Sequence, residues 1–285
     1  MKFTVIGASG QLGSDLVRVL SRQHEVQPLS HADVEVVDRD SLFAQLSEFN
    51  PDWVVNTAAF HLLDSCEQDP ESAHAINETG ALNVAEAAKT VGAKTLYIST
   101  DYVFDGSKPL GESYTESDTP RPLSVYGKSK LAGELATASV NENNLVARIS
   151  SVFGIAGSSG KGGNFIEAIT GKLKAGESPK VITDNSMSPT YSLSAATLIQ
   201  QLTFEGAKGI FHLNNSGAVS WFGLAAEVAC LLGYADNCIP IESLPEDRSL
   251  RPVNSSMDSS KVADLYSVMD WKPALRAYLR EKGHF

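Results

Sequence analysis

Tyr126 and Lys130 stand four residues apart in the run Tyr126-Gly127-Lys128-Ser129-Lys130. On a helix that spacing puts both side chains on one face. A phenol ionises at about pH 10, too high for easy proton exchange at neutral pH, and a fixed ammonium nearby lowers that value. A tyrosine so placed can give a proton to a carbonyl or take one from an alcohol. Alone, the run also fits an ordinary solvated helix. Two features weigh against that reading. An upstream strand ends in Ser99-Thr100-Asp101, which puts a hydroxyl where open α/β sheets bind ligands. The chain also opens with Gly7-Ala8-Ser9-Gly10-Gln11-Leu12-Gly13 between an expected strand and an expected helix.

The glycines of that loop have separate jobs. Gly7 permits a tight turn, Gly10 removes a side chain where backbone must approach a pyrophosphate, and Gly13 lets the helix sit close on the strand. The helix N-terminus supplies N–H groups and partial positive charge for the anion. Alone the pattern also fits a glycine-rich turn in any α/β protein. Its place between a strand and a helix favours a dinucleotide, and its G-x-x-G-x-x-G spacing resembles that of the extended short-chain dehydrogenases, which implies NADPH or NADH. An acidic residue at the end of the second strand would favour NAD. Here that stretch is Pro28-Leu29-Ser30-His31-Ala32-Asp33, with no carboxylate at the strand end and no arginine for a 2′-phosphate. Asp33, or Ser30 with His31, are the candidates there, and the choice stays open.

These residues need elements to hold them. Phe3–Ile6, Val26–Leu29, Val34–Val37, Trp53–Asn56, Thr95–Ser99 and Leu145–Ile149 read as strands. Between them lie helical patterns: Leu12, Leu16, Val19 and Leu20 at helical spacing, a helix capped by Asp38, Ala75–Val91, and Ser124–Ala138. This alternation implies an α/β fold, a doubly wound parallel Rossmann sheet covered on both faces. Residues 1–150 form the expected dinucleotide-binding domain, and 151–285 a smaller, partly interleaved substrate-binding lobe that crosses back in part. Gly209–Leu213 reads as one more sheet strand, Ser220–Leu232 as a helix, and the Gly/Ser-rich Gly154–Gly163 as a mobile loop. Gly160-Lys161 inside it lacks the spacing of a P-loop.

Composition narrows the partners. The 285 residues are 42% hydrophobic and 20% charged, with a formal net charge of −11, values of an ordinary globular protein. An acidic surface repels the phosphate backbone, so nucleic acid is not an expected partner. An anionic substrate would need local cations or helix N-termini. Cys66, Cys230 and Cys238 are odd in number and lack metal-ligand spacing. No metal or disulfide framework is expected, and a reducing cytoplasm fits. No apolar run approaches membrane-spanning length. Asp64, Cys66, Glu67 and Asp69 read as a solvated helix start. His61 follows a strand end that could reach the mouth of a site.

The motifs become specific when taken together. Ser99-Thr100-Asp101-Tyr102-Val103-Phe104-Asp105-Gly106 and Tyr126-Gly127-Lys128-Ser129-Lys130-Leu131-Ala132-Gly133-Glu134 resemble the dTDP-4-dehydrorhamnose reductases, a branch of the extended short-chain dehydrogenases. So do Asn56-Thr57-Ala58-Ala59, Ala75-Ile76-Asn77, Arg148–Phe153, Ser188-Pro189-Thr190, Arg251–Asp258 and Asp270-Trp271. The similarity spans nearly the whole chain and is strongest over residues 1–155. It implies reduction of the keto group of a nucleotide-linked 4-keto-6-deoxy sugar, in dTDP-L-rhamnose biosynthesis. On that resemblance Thr100 would hydrogen-bond the carbonyl, Tyr126 would donate the proton, and Lys130 would hold the nicotinamide ribose and tune Tyr126. Gly7, Gly10, Gln11, Leu12 and Gly13 would wrap the pyrophosphate. Glu35 and Val36 would flank the adenine, and Ala58 and Ala59 would line the ribose. Asp101, Arg148, Ser151, Pro189, Thr190 and Arg251 are the substrate-side candidates.

Two departures from the family fall in the substrate lobe. Ser151 stands where the family usually carries Trp, and Asp184-Asn185-Ser186-Met187-Ser188-Pro189-Thr190 replaces Asp-Gln-x-Gly-x-Pro-Thr. Two other readings stay open. One is another extended short-chain sugar-nucleotide epimerase or reductase. The other is a non-catalytic regulatory subunit similar to the β subunit of methionine adenosyltransferase. A homodimer is left open.

Overall fold

A computed structural model describes residues 1–157, 163–243 and 250–285. The first half follows the strand–helix rhythm. Strand β1 (Lys2–Ile6) leads into helix α1 (Gln11–Leu20), then β2 (Glu25–Leu29), α2 (Arg39–Phe49) and β3 (Trp53–Asn56). Two short helices, α3 (Leu63–Gln68) and α4 (Pro70–His74), run through a π-helical turn at Ala75–Thr79 into α5 (Gly80–Thr90). Strand β4 (Lys94–Thr100) ends in a 3₁₀ turn at Asp101–Val103, followed by α6 (Val125–Val140) and β5 (Leu145–Ile149).

The second half has shorter strands: β6 (Val152–Phe153), α7 (Phe165–Lys174), β7 (Lys180–Ile182), β8 (Thr190–Tyr191) and α8 (Ser192–Phe204). Then come β9 (Gly209–His212), α9 (Trp221–Leu231), β10 (Ile239–Ile241), α10 (Ser260–Ala263) and α11 (Trp271–Glu281).

The main sheet has six strands in the order β2-β1-β3-β4-β5-β9, and every pairing within it is parallel. This is a Rossmann-like sheet. Its direction of strand addition reverses between β1 and β3, so a crevice opens at their carboxyl ends, where such sheets bind ligands. Strands β1, β3, β4 and β5 are buried on both faces, which is why they read as continuous apolar runs. Phe3, Val5, Trp53, Val55, Leu96, Ile98, Leu145 and Ala147 pack on one side against α1 and α8. Ile6, Val54, Val84 and Ala88 pack on the other, with Leu42 and Leu46 of α2. Strand β9 joins the sheet beside β5 although it comes late in the chain. A separate core, built on Phe153, Ile169, Leu224, Trp271 and Tyr278, gathers β6, α7, α9 and α11.

One expected strand is absent. Val34 and Val36 are buried and their neighbours exposed, the alternation of a half-buried strand. The backbone there closes on itself instead: Asp33 and Val34 N–H donate to Ser30 O, and Asp38 N–H to Glu35 O. The two valines still fill the core, but from turns. Asp38 caps α2 as expected, accepting from Ser41 N–H at 3.0 Å. Residues 158–162, with Gly160-Lys161, lie outside the described residues, so the expected Gly154–Gly163 loop is described only at its two ends. No helix among the described residues is long and apolar enough to cross a membrane.

Candidate active site

The glycine loop sits at the reversal of the sheet. Gly7 follows β1 with φ +80°, a left-handed conformation that side chains rarely adopt. Thr57, directly after β3, donates its hydroxyl to Ile6 O at 2.7 Å and pins the two strand ends together. A Cβ on Gly13 would lie 2.1 Å from Gly7 O, so α1 lies on the turn at a distance only glycine allows. Helix α1 starts at Gly10 without a side-chain cap and without an acidic residue in its first turn. Its first N–H groups, normally left without partners in a helix, therefore face the cavity free of side-chain competition. This donor set fits a dinucleotide pyrophosphate.

A cavity of about 940 Å³ runs from this loop across the sheet edge. One end is lined by Ser30, His31, Glu35 and Val36, the middle by Thr100, Tyr126 and Lys130, and the far end by Phe165, Trp221 and Arg251. Helix α6 presents the middle group. Ser124 caps it, accepting from Gly127 N–H at 3.1 Å. Glu67 of α3 accepts from Val125 N–H at 2.7 Å, which is the use of that acidic segment; Asp69 likewise caps α4 through Ser72 N–H. A Cβ on Gly127 would meet Tyr102 O at 2.2 Å, so α6 approaches the 3₁₀ turn after β4 as closely as backbone permits.

That approach brings the hydroxyl-bearing side chains of Thr100 and Tyr126 to the same cavity wall. Thr100 also donates to Asp101 Oδ1 at 3.1 Å and accepts from Tyr102 N–H at 3.2 Å. Tyr102 meets Tyr126 edge-on at 5.9 Å. Burial pushes the Tyr126 phenol up, against the lowering effect of the Thr100 hydroxyl. Lys130 is buried one turn along, its Nζ donating to Ile98 O at 2.6 Å and lying 4.0 Å from the centre of the Tyr97 ring. Burial pulls this amine down to about 7, against the opposing pull of Glu134. Asp101 is buried as well, and burial raises its carboxyl despite bonds from Ser255, Ser150 and Thr100. The Tyr102 phenol, hydrogen-bonded to Arg251, is pushed up by burial to about 12.

A hydroxyl pair with a buried amine, placed between an anion cradle and an aromatic end wall, is equipped for proton transfer at a carbonyl beside a dinucleotide. The profile of the RmlD substrate binding domain family matches residues 1–283. The chain belongs to this family. Spore coat polysaccharide biosynthesis protein SpsK of Bacillus subtilis (strain 168) is 32% identical over 285 residues, covering 99% of this chain and 98% of that protein. The dTDP-4-dehydrorhamnose reductase of Escherichia coli (strain K12) is 31% identical over 306 aligned residues, covering 99% and 98%. Among solved structures, dTDP-4-dehydrorhamnose reductase of Bacillus anthracis in complex with NADP superposes with a TM-score of 0.90 at 29% identity, covering 98% of this chain and 99% of that one.

In this RmlD-family chain Gly7, Gly10, Gln11, Leu12, Gly13, Glu35, Val36, Ala58, Ala59, Thr100, Asp101, Tyr126, Lys130, Ser151 and Arg251 all line the cavity. Some are partly spent. Gln11 Nε2 donates to Val152 O at 2.8 Å, so its side chain ties the loop to β6 and leaves its backbone to the ligand. Glu35 pairs with the exposed His31 at 3.0 Å. The Asp33 carboxylate is folded back on Ser30 N and Oγ, at 2.8 and 2.6 Å, and stays outside the cavity lining. Ser151 holds φ +45°, a strained setting for a residue with a side chain.

Three substrate-side candidates lie outside the cavity lining. Arg148 does not line the cavity. It is buried and makes two parallel bonds to Glu134, from Nε at 2.8 Å and Nη2 at 2.7 Å, since β5 points it under α6. Breaking such a pair from one side costs roughly 3–5 kcal/mol. Pro189 and Thr190 are buried and do not line the cavity. Thr190 pairs with Val152 and accepts from Ser150 N–H at 3.2 Å.

Other residues were not anticipated. Asn77 sits in the π turn, a distortion often found at functional sites. It exchanges two 2.9 Å bonds with the backbone of Phe60 and donates to Ser129 at 2.9 Å, joining the loop after β3 to α6. The motif Ala75-Ile76-Asn77 was visible, but nothing in it announced a buried amide. Phe165 and Trp221, with ring centres 4.5 Å apart, build the far wall. They lie in the irregular half, where periodicity says little.

Proposed function

We propose that this chain reduces the keto group of a nucleotide-linked 4-keto-6-deoxy sugar with NADPH or NADH, as a dTDP-4-dehydrorhamnose reductase in dTDP-L-rhamnose biosynthesis. The observation that carries the proposal is that Thr100, Tyr126 and buried Lys130 line the same cavity as the glycine loop.

The loop from Gly7 to Gly13 and the start of α1 hold the cofactor pyrophosphate, with Val36, Ala58 and Ala59 along its adenosine half. The bound nicotinamide supplies hydride. Thr100 and Tyr126 direct their hydroxyls at the substrate carbonyl oxygen, where negative charge develops as the carbonyl is reduced. Tyr126 gives its proton to that oxygen, and the Lys130 ammonium stabilises the phenolate left behind. Asp101 orients Thr100. Arg251, the cation of the cavity's substrate end, meets the diphosphate, which offsets the repulsion expected from an acidic chain. Small Ser151 leaves room beside the sugar, so the wall there is set by Phe165 and Trp221. A cytoplasmic site of action is supported by the free Cys66, Cys230 and Cys238.

Transfer of label tests this reading. Incubation of dTDP-4-keto-6-deoxy-L-sugar with NADPH deuterated at both C4 positions is expected to put one deuterium on carbon 4 of the product and to oxidise one cofactor per turnover. An epimerase would return the cofactor reduced. A regulatory subunit would bind it and transfer nothing. Either outcome sinks the reductase proposal.

A further inference from the structure

Lys130 has neutral direct partners, the Ile98 carbonyl and the Tyr97 ring. An ammonium so buried loses its hydration without a touching counter-charge, and burial draws it toward the neutral amine. The opposing influence comes from Glu134, one helical turn further along α6. Glu134 is itself buried and held from two strands. Arg148 of β5 grips both its oxygens, and Ser99 of β4 donates its hydroxyl to Oε1. Ser99 and Arg148 are register partners in adjacent strands. Ser99 immediately precedes Thr100, and Lys130 lies between Tyr126 and Glu134. One carboxylate therefore joins the strand that carries Thr100 to the helix that carries Tyr126 and Lys130.

We propose that Glu134 is a positioning residue of the reduction: pinned by Arg148 and Ser99, it locks α6 to β4 and keeps Lys130 in the ammonium form that Tyr126 requires. The proposal rests on the reading of Lys130 as partner of Tyr126. Other titratable groups around α6 do not substitute for Glu134. Tyr97 of β4 is held neutral, its phenol pushed well above 10 by burial. Burial raises the Cys66 thiol of α3 to about 11. Glu67 of α3 is bonded at Val125, in the first turn of α6. Asp101 acts on Tyr126 and Tyr102. His212 of β9 lies beyond Arg148 and is neutral, pulled to about 3 by burial. The ion pair is also poorly completed as a purely stabilising device, because Arg148 Nη1 is buried without a partner. A buried pair of this kind is often replaceable by apolar groups without loss of fold.

The test compares the parent, Glu134→Asp, Glu134→Gln and the double variant Glu134→Gln/Arg148→Met. The Lys130 side-chain amine is titrated by NMR in cofactor-free protein, with Lys130→Met for assignment, and kcat/KM for NADPH is followed from about pH 5.5 to 9.5. The double variant, which removes both buried charges, is expected to melt close to the parent. Its Lys130 titration and alkaline limb should move at least one pH unit toward acid, giving a roughly tenfold loss of rate at pH 7.5. Glu134→Asp keeps the charge and should keep the limb in place. If the double variant does not fold, Glu134→Gln is read in the same way. A carboxylate-free variant that titrates like the parent overturns the proposal, and so does an Asp variant shifted as far as Gln. Full activity in Lys130→Met would instead overturn the Tyr126–Lys130 reading, which keeps the two failures distinct.

Discussion

Replacing Gly13 by alanine probes the contact that sets the cofactor cradle. The added methyl would lie 2.1 Å from Gly7 O and 2.9 Å from both Ala8 Cα and Gly7 C. All three are backbone atoms, so no side chain can swing aside. Ordinary carbon–oxygen contact needs more than an additional 1 Å, and α1 must lift from the turn by about that much. Overpacking of this kind costs roughly 1–3 kcal/mol. At about 2 kcal/mol the melting temperature should fall by roughly 4–8 °C. The same displacement carries the N–H groups of α1 away from the pyrophosphate, so Kd for NADPH should rise at least tenfold, about 1.4 kcal/mol. Gly10→Ala is the matched control. Its methyl has one neighbour within 4 Å, Gly7 O at 3.2 Å, and otherwise faces open space. It should weaken NADPH binding while shifting the melting temperature by less than about 2 °C. Calorimetry and a fluorescence titration of NADPH suffice. The reasoning is refuted if Gly13→Ala leaves both quantities unchanged, or if Gly10→Ala destabilises the fold more than Gly13→Ala does.

Other perturbations separate scaffold from chemistry. Lys130 has its amine pulled down to about 7 by burial. Its charge is therefore present below that pH and lost as pH rises through it, so kcat/KM for NADPH should show an alkaline limb there; a flat profile to about pH 9 would contradict this. Asn77→Ala removes three side-chain bonds and should cost about 3 kcal/mol in urea denaturation, against no change if the π turn were held by packing alone. Arg148→Met should cost roughly 3–5 kcal/mol by leaving Glu134 buried and unpaired, while Arg148→Met with Glu134→Leu should recover most of it. Equal losses in the two would return Arg148 to the substrate site.

The parts of the fold that were legible are those where a local rule and the tertiary arrangement agree. The apolar runs of β1, β3, β4 and β5 are buried on both faces, and a strand with no solvent face has little choice of residue. The glycine loop was legible because steric contact dictates its residues, as the 2.1 Å clash at Gly13 makes plain. The Val34–Val37 error has the opposite origin. Its alternating burial is real, but its hydrogen bonds close within the segment, and sequence periodicity reports burial and not the hydrogen-bond partner. Arg148 shows a similar limit. An arginine at a strand end looks equally free to face a ligand or a carboxylate, and the carboxylate that claims it lies 14 residues away on a helix. Phe165, Trp221 and Asn77 take their places through long-range packing that no short motif records.

The central claim is that Tyr126 protonates the carbonyl oxygen as it is reduced. It is tested most directly by single-turnover loss of reduced-nicotinamide absorbance with dTDP-4-keto-6-deoxy-L-sugar, comparing the parent with Tyr126→Phe. Removal of a positioned general acid should slow the step by roughly 10²–10⁴-fold, with Kd for NADPH within about threefold of the parent, a difference below 0.7 kcal/mol. A Phe variant that oxidises the cofactor at the parental rate would contradict the assignment of Tyr126.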